Sequence, residues 1–259
     1  MPTISEGAPP RLEVSDGVAR VTLQRPRYRN RLEVADLIAL RDHFAAVGGD
    51  SSIRVLVLDA EVLDVRPVFC AGADLGGFDG HEPVVSLEEI MASLEALPVV
   101  TICALRGSVY GGASDFPLSC DLTVGAEGIE VKVPAAQLGL HYHPSGLIRY
   151  VRRIGVSAAK RAFLTAEGID AESLLRIGFV QELCPPDRLS ARVDELSARV
   201  AGLAPMALAS LKASLNEISA GEVDMSRLNE RFVRLKSSDD FAEGRSAFAE
   251  RRAPKWKGC

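Results

Sequence analysis

The chain has 259 residues, 47% of them hydrophobic and 25% charged, and a net charge of −5. That is the make-up of an ordinary globular protein, long enough to bury a core without disulfide or metal staples. The mild acidity, with no basic stripe of interleaved aromatics, argues against a nucleic-acid surface. Cys70, Cys103, Cys120, Cys184 and Cys259 are scattered with no CxxC or His-rich spacing. Neither a disulfide framework nor a metal site is therefore expected, and reduced thiols point to a cytoplasmic protein. The opening MPTISEGAPPRLEV lacks a charged stretch followed by an apolar one, so a leader peptide is not expected. No apolar run nears the roughly 18 residues of a membrane span.

In chain order, residues 1–10 read as a loose lead-in carrying Gly7, Pro9 and Pro10. LEVSDGVARVTLQ predicts two strands joined at Asp16-Gly17, and Pro26 ends the pair. Residues 33–47 place Val34, Leu37, Ile38, Leu40, Phe44 and Ala45 at helical spacing before Gly48-Gly49. IRVLVLDAEV is a buried strand by composition. SLEEIMASLEAL opens with Ser86 and has Glu89 three residues on, the capping-box start of a helix stopped by Pro98. VVTICAL is the next strand, and the alternation to about residue 135 predicts an α/β body. From about residue 144 the pattern is almost all helix, with amphipathic segments to the end and Pro205 in a favourable first-turn position.

Three segments concentrate chemistry. Phe69-Cys70-Ala71-Gly72-Ala73-Asp74 runs from a strand into a turn of small residues, where the amide of Ala73 is a candidate donor to an oxyanion. Taken alone it also fits an ordinary surface loop. Arg106 to Asp115 passes from a strand through Gly111-Gly112 into a short helix. The amide of Gly112 then sits at a helix start, with no Cβ to block a thioester carbonyl, and Asp115 follows one turn later. Asp115 equally fits a simple helix cap. Pro134 to Gly146 holds His141, Tyr142 and His143, two of the four histidines and one of the four tyrosines, in one loop. Such proton-active groups suit acid–base work, though a polar surface loop has the same composition. His141 and His143 find no third ligand, so no metal is assigned.

In this order and spacing the segments resemble the crotonase superfamily, the enoyl-CoA hydratases and isomerases. Arg25-Pro26-Arg27-Tyr28-Arg29-Asn30 is similar to that family's Arg-Pro…Asn loop, and Phe248 to Pro254 to its usual ending. The resemblance implies an α/β (α+β) fold. A spiral of ββα turns over residues 1–200 carries the acyl-CoA site, and residues 201–259 form a helical region that makes homotrimers or dimers of trimers. It further implies that the amides of Ala73 and Gly112 hold the thioester carbonyl and its enolate, where losing one donor typically costs on the order of 10²–10³ in rate. Arg29 would contact the CoA phosphates, helped by Lys255 or Lys257, and Ala71 would also bind CoA. Coenzyme A would be part of the substrate, with no separate cofactor.

Two departures matter. Where the family's hydratases have two glutamates, this chain has Asp115 and Ala135. Gly139-Leu140-His141-Tyr142 resembles instead the Gly-x-Pro-Tyr loop of the methylmalonyl-CoA decarboxylase branch. There CO₂ departure generates the enolate and no base is required. The expectation is a lyase, hydratase or decarboxylase, with Asp115, Tyr142 and His143 as its acid–base set. The alternative is a catalytically silent member that binds acyl-CoA.

Overall fold

A computed structural model describes residues 7–72 and 85–258. The chain opens with a hairpin, β1 (Ala8–Ser15) and β2 (Val18–Gln24). Asp16 and Gly17 at its tip have φ of 50° and 75°, the positive values that a tight two-residue hairpin turn demands. Ala8 pairs with Gln24 of β2, and Pro9 and Pro10 sit in the irregularity between Ala8 and Arg11, so this stretch belongs to β1 rather than to a loose lead-in. Pro9 and Pro10 are tolerated because β1 is the edge of its sheet.

Each of the next three turns of chain lays one strand in a large sheet, one in a small sheet, and then a helix. The strand pairs are β3 (Val55–Ala60) with β4 (Val68–Cys70), β5 (Val100–Leu105) with β6 (Ser108–Tyr110), and β7 (Leu122–Ala126) with β8 (Glu130–Lys132). The helices that follow them are α2 (Leu87–Ala96), α3 (Asp115–Ser119) and α4 (Pro144–Thr165); α1 (Val34–Gly49) precedes β3. The large sheet runs β1-β2-β3-β5-β7-β10 and is parallel from β2 onward; the small one runs β4-β6-β8-β9. This is the ββα spiral expected from the sequence. β3 and β5 are buried along their whole length, which is why they read as unbroken apolar runs rather than alternating ones.

β9 (Ile169–Asp170) and β10 (Glu182–Cys184) interrupt the stretch that the sequence reads as almost all helix. Strands of two and three residues carry no periodicity to detect. α5 (Ala171–Arg176) lies between them. α6 (Leu189–Ala201) packs on β2, β3, β5 and β7, so the division expected at residue 200 falls in its last turn. α7 (Pro205–Ala220), α8 (Met225–Lys236) and α9 (Asp239–Glu250) follow. They leave Leu211, Leu215, Ile218, Phe232 and Val233 exposed, as are Ile148 and Val151 of α4. No described helix is long and apolar enough to cross a membrane.

Candidate active site

The spiral brings the three chemical segments to one place. The first is held by the loop before α1. Arg29 and Asn30 both take positive φ (54° and 51°), turning the chain so that the Arg29 carbonyl accepts from the Ala71 amide (2.9 Å) and Leu32 N–H donates to the Gly72 carbonyl (2.9 Å). The buried Asn30 side chain clips this loop to the strands, donating to the carbonyls of Glu61 (2.8 Å) and Phe69 (3.0 Å) and accepting from Arg25 N–H (2.7 Å). Exposed Arg29 is thereby set beside Ala71. Ala73, the expected first oxyanion donor, lies outside the described residues.

The second segment forms a 3₁₀ turn, Gly111–Ser114, that runs directly into α3. Gly112 is second in that turn, where an amide has no partner within the turn. A Cβ at Gly112 would strike Leu87 Cδ2 at 2.8 Å, and one at Gly72 would lie 3.1 Å from the Tyr110 carbonyl and 4.0 Å from Gly112 N. The two glycines therefore let the first loop, α2 and the Gly112 amide converge.

Asp115 at the head of α3 is completely buried. Its Oδ2 accepts from Arg149 Nη1 (3.2 Å) and stands 2.9 Å from His143 Nε2. Arg149, itself buried, extends to Glu95 Oε2 (3.1 Å). The His143 Nε2–H direction misses the line to Oδ2. Nε2 and Asp115 Oδ1 are both buried without a hydrogen-bond partner among the described residues. Such orphaned polar atoms are rare in folded proteins, and two side by side call for a ligand.

His143 owes its pose to the start of α4. It is the helix N-cap, and its Nδ1 accepts from Gly146 N–H (3.1 Å). With Nδ1 an acceptor, the proton of the neutral ring belongs on Nε2, facing Asp115. Gly146 must lack a side chain, since a Cβ would collide with Tyr142, His143 and Asp115 Oδ2. Ser145 Oγ lies 3.1 Å from His143 Nδ1 and donates to Glu88 Oε2 (3.0 Å).

Tyr142 stacks on His143 (centroids 4.4 Å apart) and donates to the Gly111 carbonyl at 3.3 Å. Burial, and then the Asp115 charge, push its phenol well above the ordinary range. The sequence places Tyr142 in the acid–base set; in the structure its hydroxyl is tied to the backbone. His141, also in the loop, is exposed and bonds the Tyr142 carbonyl (2.7 Å).

A cavity of about 560 Å³ opens among Ala71, Leu87, Glu88, Gly112, Ala135 and His143. Asp115 is not in its wall; it stands behind His143. Arg149, Glu95, Ser145 and Glu88 are the site residues that sequence reasoning missed. Arg149 alone left a signal there, a cation at the i, i+3, i+4 spacing of Gly146, Arg149 and Tyr150 on the buried face of α4. Among the described residues no cluster of three His, Cys, Asp or Glu side chains is placed to hold a metal.

Residues 13–259 match the family model for enoyl-CoA hydratase/isomerase. The chain belongs to that family. The 2,3-dehydroadipyl-CoA hydratase of Escherichia coli (strain K12) is 30% identical over 247 residues, which cover 93% of this chain and 95% of its own. The probable mitochondrial enoyl-CoA hydratase 2 of Arabidopsis thaliana is 30% identical over 270 residues, covering 98% and 89%. The crystal structure of enoyl-CoA hydratase from Bacillus anthracis matches with a TM-score of 0.90 at 26% identity, covering 97% of this chain and all of that one (100%). As a member of the enoyl-CoA hydratase/isomerase family, the chain is an enzyme of acyl-CoA thioesters, and the spiral is the family's fold.

Proposed function

We propose that this enzyme adds water to 2-enoyl thioesters of CoA and removes it from the 3-hydroxyacyl products. The observation that carries the reading is the pair of orphaned atoms, His143 Nε2 of a residue in the cavity wall and Asp115 Oδ1 of the residue behind it. One water accepting from Nε2–H and donating to Oδ1 would satisfy both, since a buried water needs two or more polar partners. That water's oxygen bonds to Cβ as Asp115 takes its proton. The C=C electrons move toward the thioester, and Gly112 N–H, with Ala73 N–H as second donor, holds the enolate oxygen. Arg149, also buried, pairs with Asp115 Oδ2 at 3.2 Å and orients it. Arg29 and Ala71 bind the CoA moiety. The relatives named as hydratases support the same reading. Decarboxylation of a malonyl-type thioester is the second reading, resting on the Tyr142 loop, and the tied hydroxyl of Tyr142 weakens it.

Turnover of crotonyl-CoA and of malonyl-type thioesters, followed by mass spectrometry, tests this. Hydration without CO₂ release is expected. CO₂ release alone overturns the hydratase reading, and binding without turnover of any thioester returns the silent member. Arg29→Ala should raise KM for CoA thioesters and leave kcat nearly unchanged. The exposed apolar residues of α4, α7 and α8 are assigned to contacts between copies. A trimer or hexamer is the expected mass by light scattering at micromolar concentration.

A further inference from the structure

Hydration needs a second proton transfer, at Cα, and Ala135 offers no group for it. Resting on the hydratase reading above, we propose that Glu88 of α2 supplies the missing carboxylate, reaching the substrate from a different element of the fold.

Several observations support this. Glu88 lines the same cavity as Ala135, Gly112 and His143, where the other described walls are mostly apolar or backbone. Its carboxylate is held: Ser145 in the first turn of α4 donates to Oε2 at 3.0 Å. Oε1 stands 3.9 Å from His143 Nδ1, beyond hydrogen-bond reach, and makes no hydrogen bond among the described residues, which leaves it available to a substrate. The side chain keeps 45% of its surface exposed, giving it proton exchange with solvent that a buried acid lacks. α2 is fixed where it starts by the reciprocal Ser86–Glu89 capping box, and Leu87 packs over Gly112, so Glu88 is presented from a rigid helix end.

The steps balance. In hydration, the water oxygen bonds to Cβ while Asp115 takes its proton and the C=C pair becomes the enolate. Glu88 then gives a proton from Oε1 to Cα as the enolate electrons form the Cα–H bond. One water has been added. Asp115 returns its proton to solvent when product leaves, and Glu88 regains one from solvent. Dehydration runs the same steps backward, with Glu88 taking the Cα proton.

The experiment measures crotonyl-CoA hydration by the full chain, its Glu88→Gln and Ser145→Ala variants, and the double variant Glu88→Gln/Ala135→Glu. Glu88→Gln should lower kcat by about 10²–10⁴ with KM nearly unchanged, the loss expected for a positioned acid. Ser145→Ala should lower kcat less, by roughly tenfold, for one lost hydrogen bond. The double variant should recover part of the lost kcat, because a carboxyl at position 135 faces the same cavity; a role confined to holding α2 on α4 gives no such rescue. Melting temperatures within a few degrees of the parent's show that each variant folds. An active parent whose kcat Glu88→Gln leaves unchanged, or changes only through KM, overturns the role of Glu88 alone. A parent inert on every 2-enoyl thioester overturns this role together with the hydratase reading.

Discussion

Two buried aspartates, Asp59 and Asp115, show what separates a carboxylate that holds the fold from one that serves the site. Asp59 on β3 is 4% exposed, and every oxygen is matched. Its Oδ1 accepts from Arg106 Nε (2.6 Å) and the Ala60 amide (2.8 Å), and its Oδ2 from Arg106 Nη2 (2.9 Å) and Arg20 Nη1 (2.7 Å). Arg20 goes on to Asp194 of α6 (2.6 Å), so this network ties the sheet to a helix. Asp115 is buried completely, yet one oxygen accepts from Arg149 with His143 Nε2 close by at 2.9 Å but not bonded to it, and the other has no partner among the described residues. A fold that needs a buried charge usually completes its hydrogen bonds, as at Asp59. The incomplete set sits where the cavity, the glycine-rich turn and the histidine meet.

The sharpest way to break this comparison is to neutralise each aspartate. Asp115→Asn should lower kcat for hydration by about 10²–10⁴, the contribution of a positioned base. Because it leaves buried Arg149 with Glu95 as its remaining carboxylate partner, it should also cost up to about 3 kcal/mol of stability, so kcat is read per folded enzyme. Steady-state kinetics beside a urea titration reads both. Near-parental kcat would remove Asp115 from the hydration chemistry and favour decarboxylation, where departing CO₂ supplies the electrons. Asp59→Ala should cost stability alone. It strands Arg106 and Arg20, whose side chains are 23% and 26% exposed. Losing one partner of a buried pair then costs about 3 kcal/mol, the low end because both arginines keep some water. The urea midpoint should fall accordingly, while kcat per folded enzyme stays within about twofold of the parent, as expected of a site away from the chemistry.

The comparison also explains what was readable in the sequence. Features fixed by neighbours along the chain were legible: the Asp16-Gly17 turn and the Ser86–Glu89 capping box. Asp115 and His143 were legible as candidates because Gly-Gly and the His-Tyr cluster mark unusual turns. Their pairing was not, since it depends on α4 folding back over α3, 28 residues on from Asp115 to His143. Glu88, Glu95 and Ser145 look like solvated helix residues in the sequence, and only the packing of α2 and α4 around the cavity gives them another use. The short strands β9 and β10 escaped for the opposite reason, having too few residues to show a period.

The smallest effect should come from Tyr142, the third member of the expected acid–base set. Its hydroxyl makes one long bond, 3.3 Å, to a Gly111 carbonyl that Ser114 Oγ already satisfies at 2.6 Å; Ser114 in turn accepts from Tyr150 (2.5 Å). Its ring makes the larger contribution, stacked on His143 and edge-on to Phe163 at 4.8 Å. Tyr142→Phe keeps the ring and should cost under about 1 kcal/mol. Burial and the Asp115 charge hold the phenol protonated in the folded chain above the pH at which the unfolded chain ionises it, about 10. The sign follows: below about pH 10 both states keep the proton and stability is unaffected, and above it the unfolded state alone releases one, so stability falls as pH rises. Removing the hydroxyl should therefore flatten the alkaline limb of the stability curve and leave neutral stability and kcat nearly as they were. Urea titrations at neutral and alkaline pH measure the first part, and crotonyl-CoA kinetics the second. A kcat loss of a hundredfold or more would place the Tyr142 proton in the reaction, and the division between a satisfied fold-holding group and an unsatisfied functional one would fail at the residue where it predicts least.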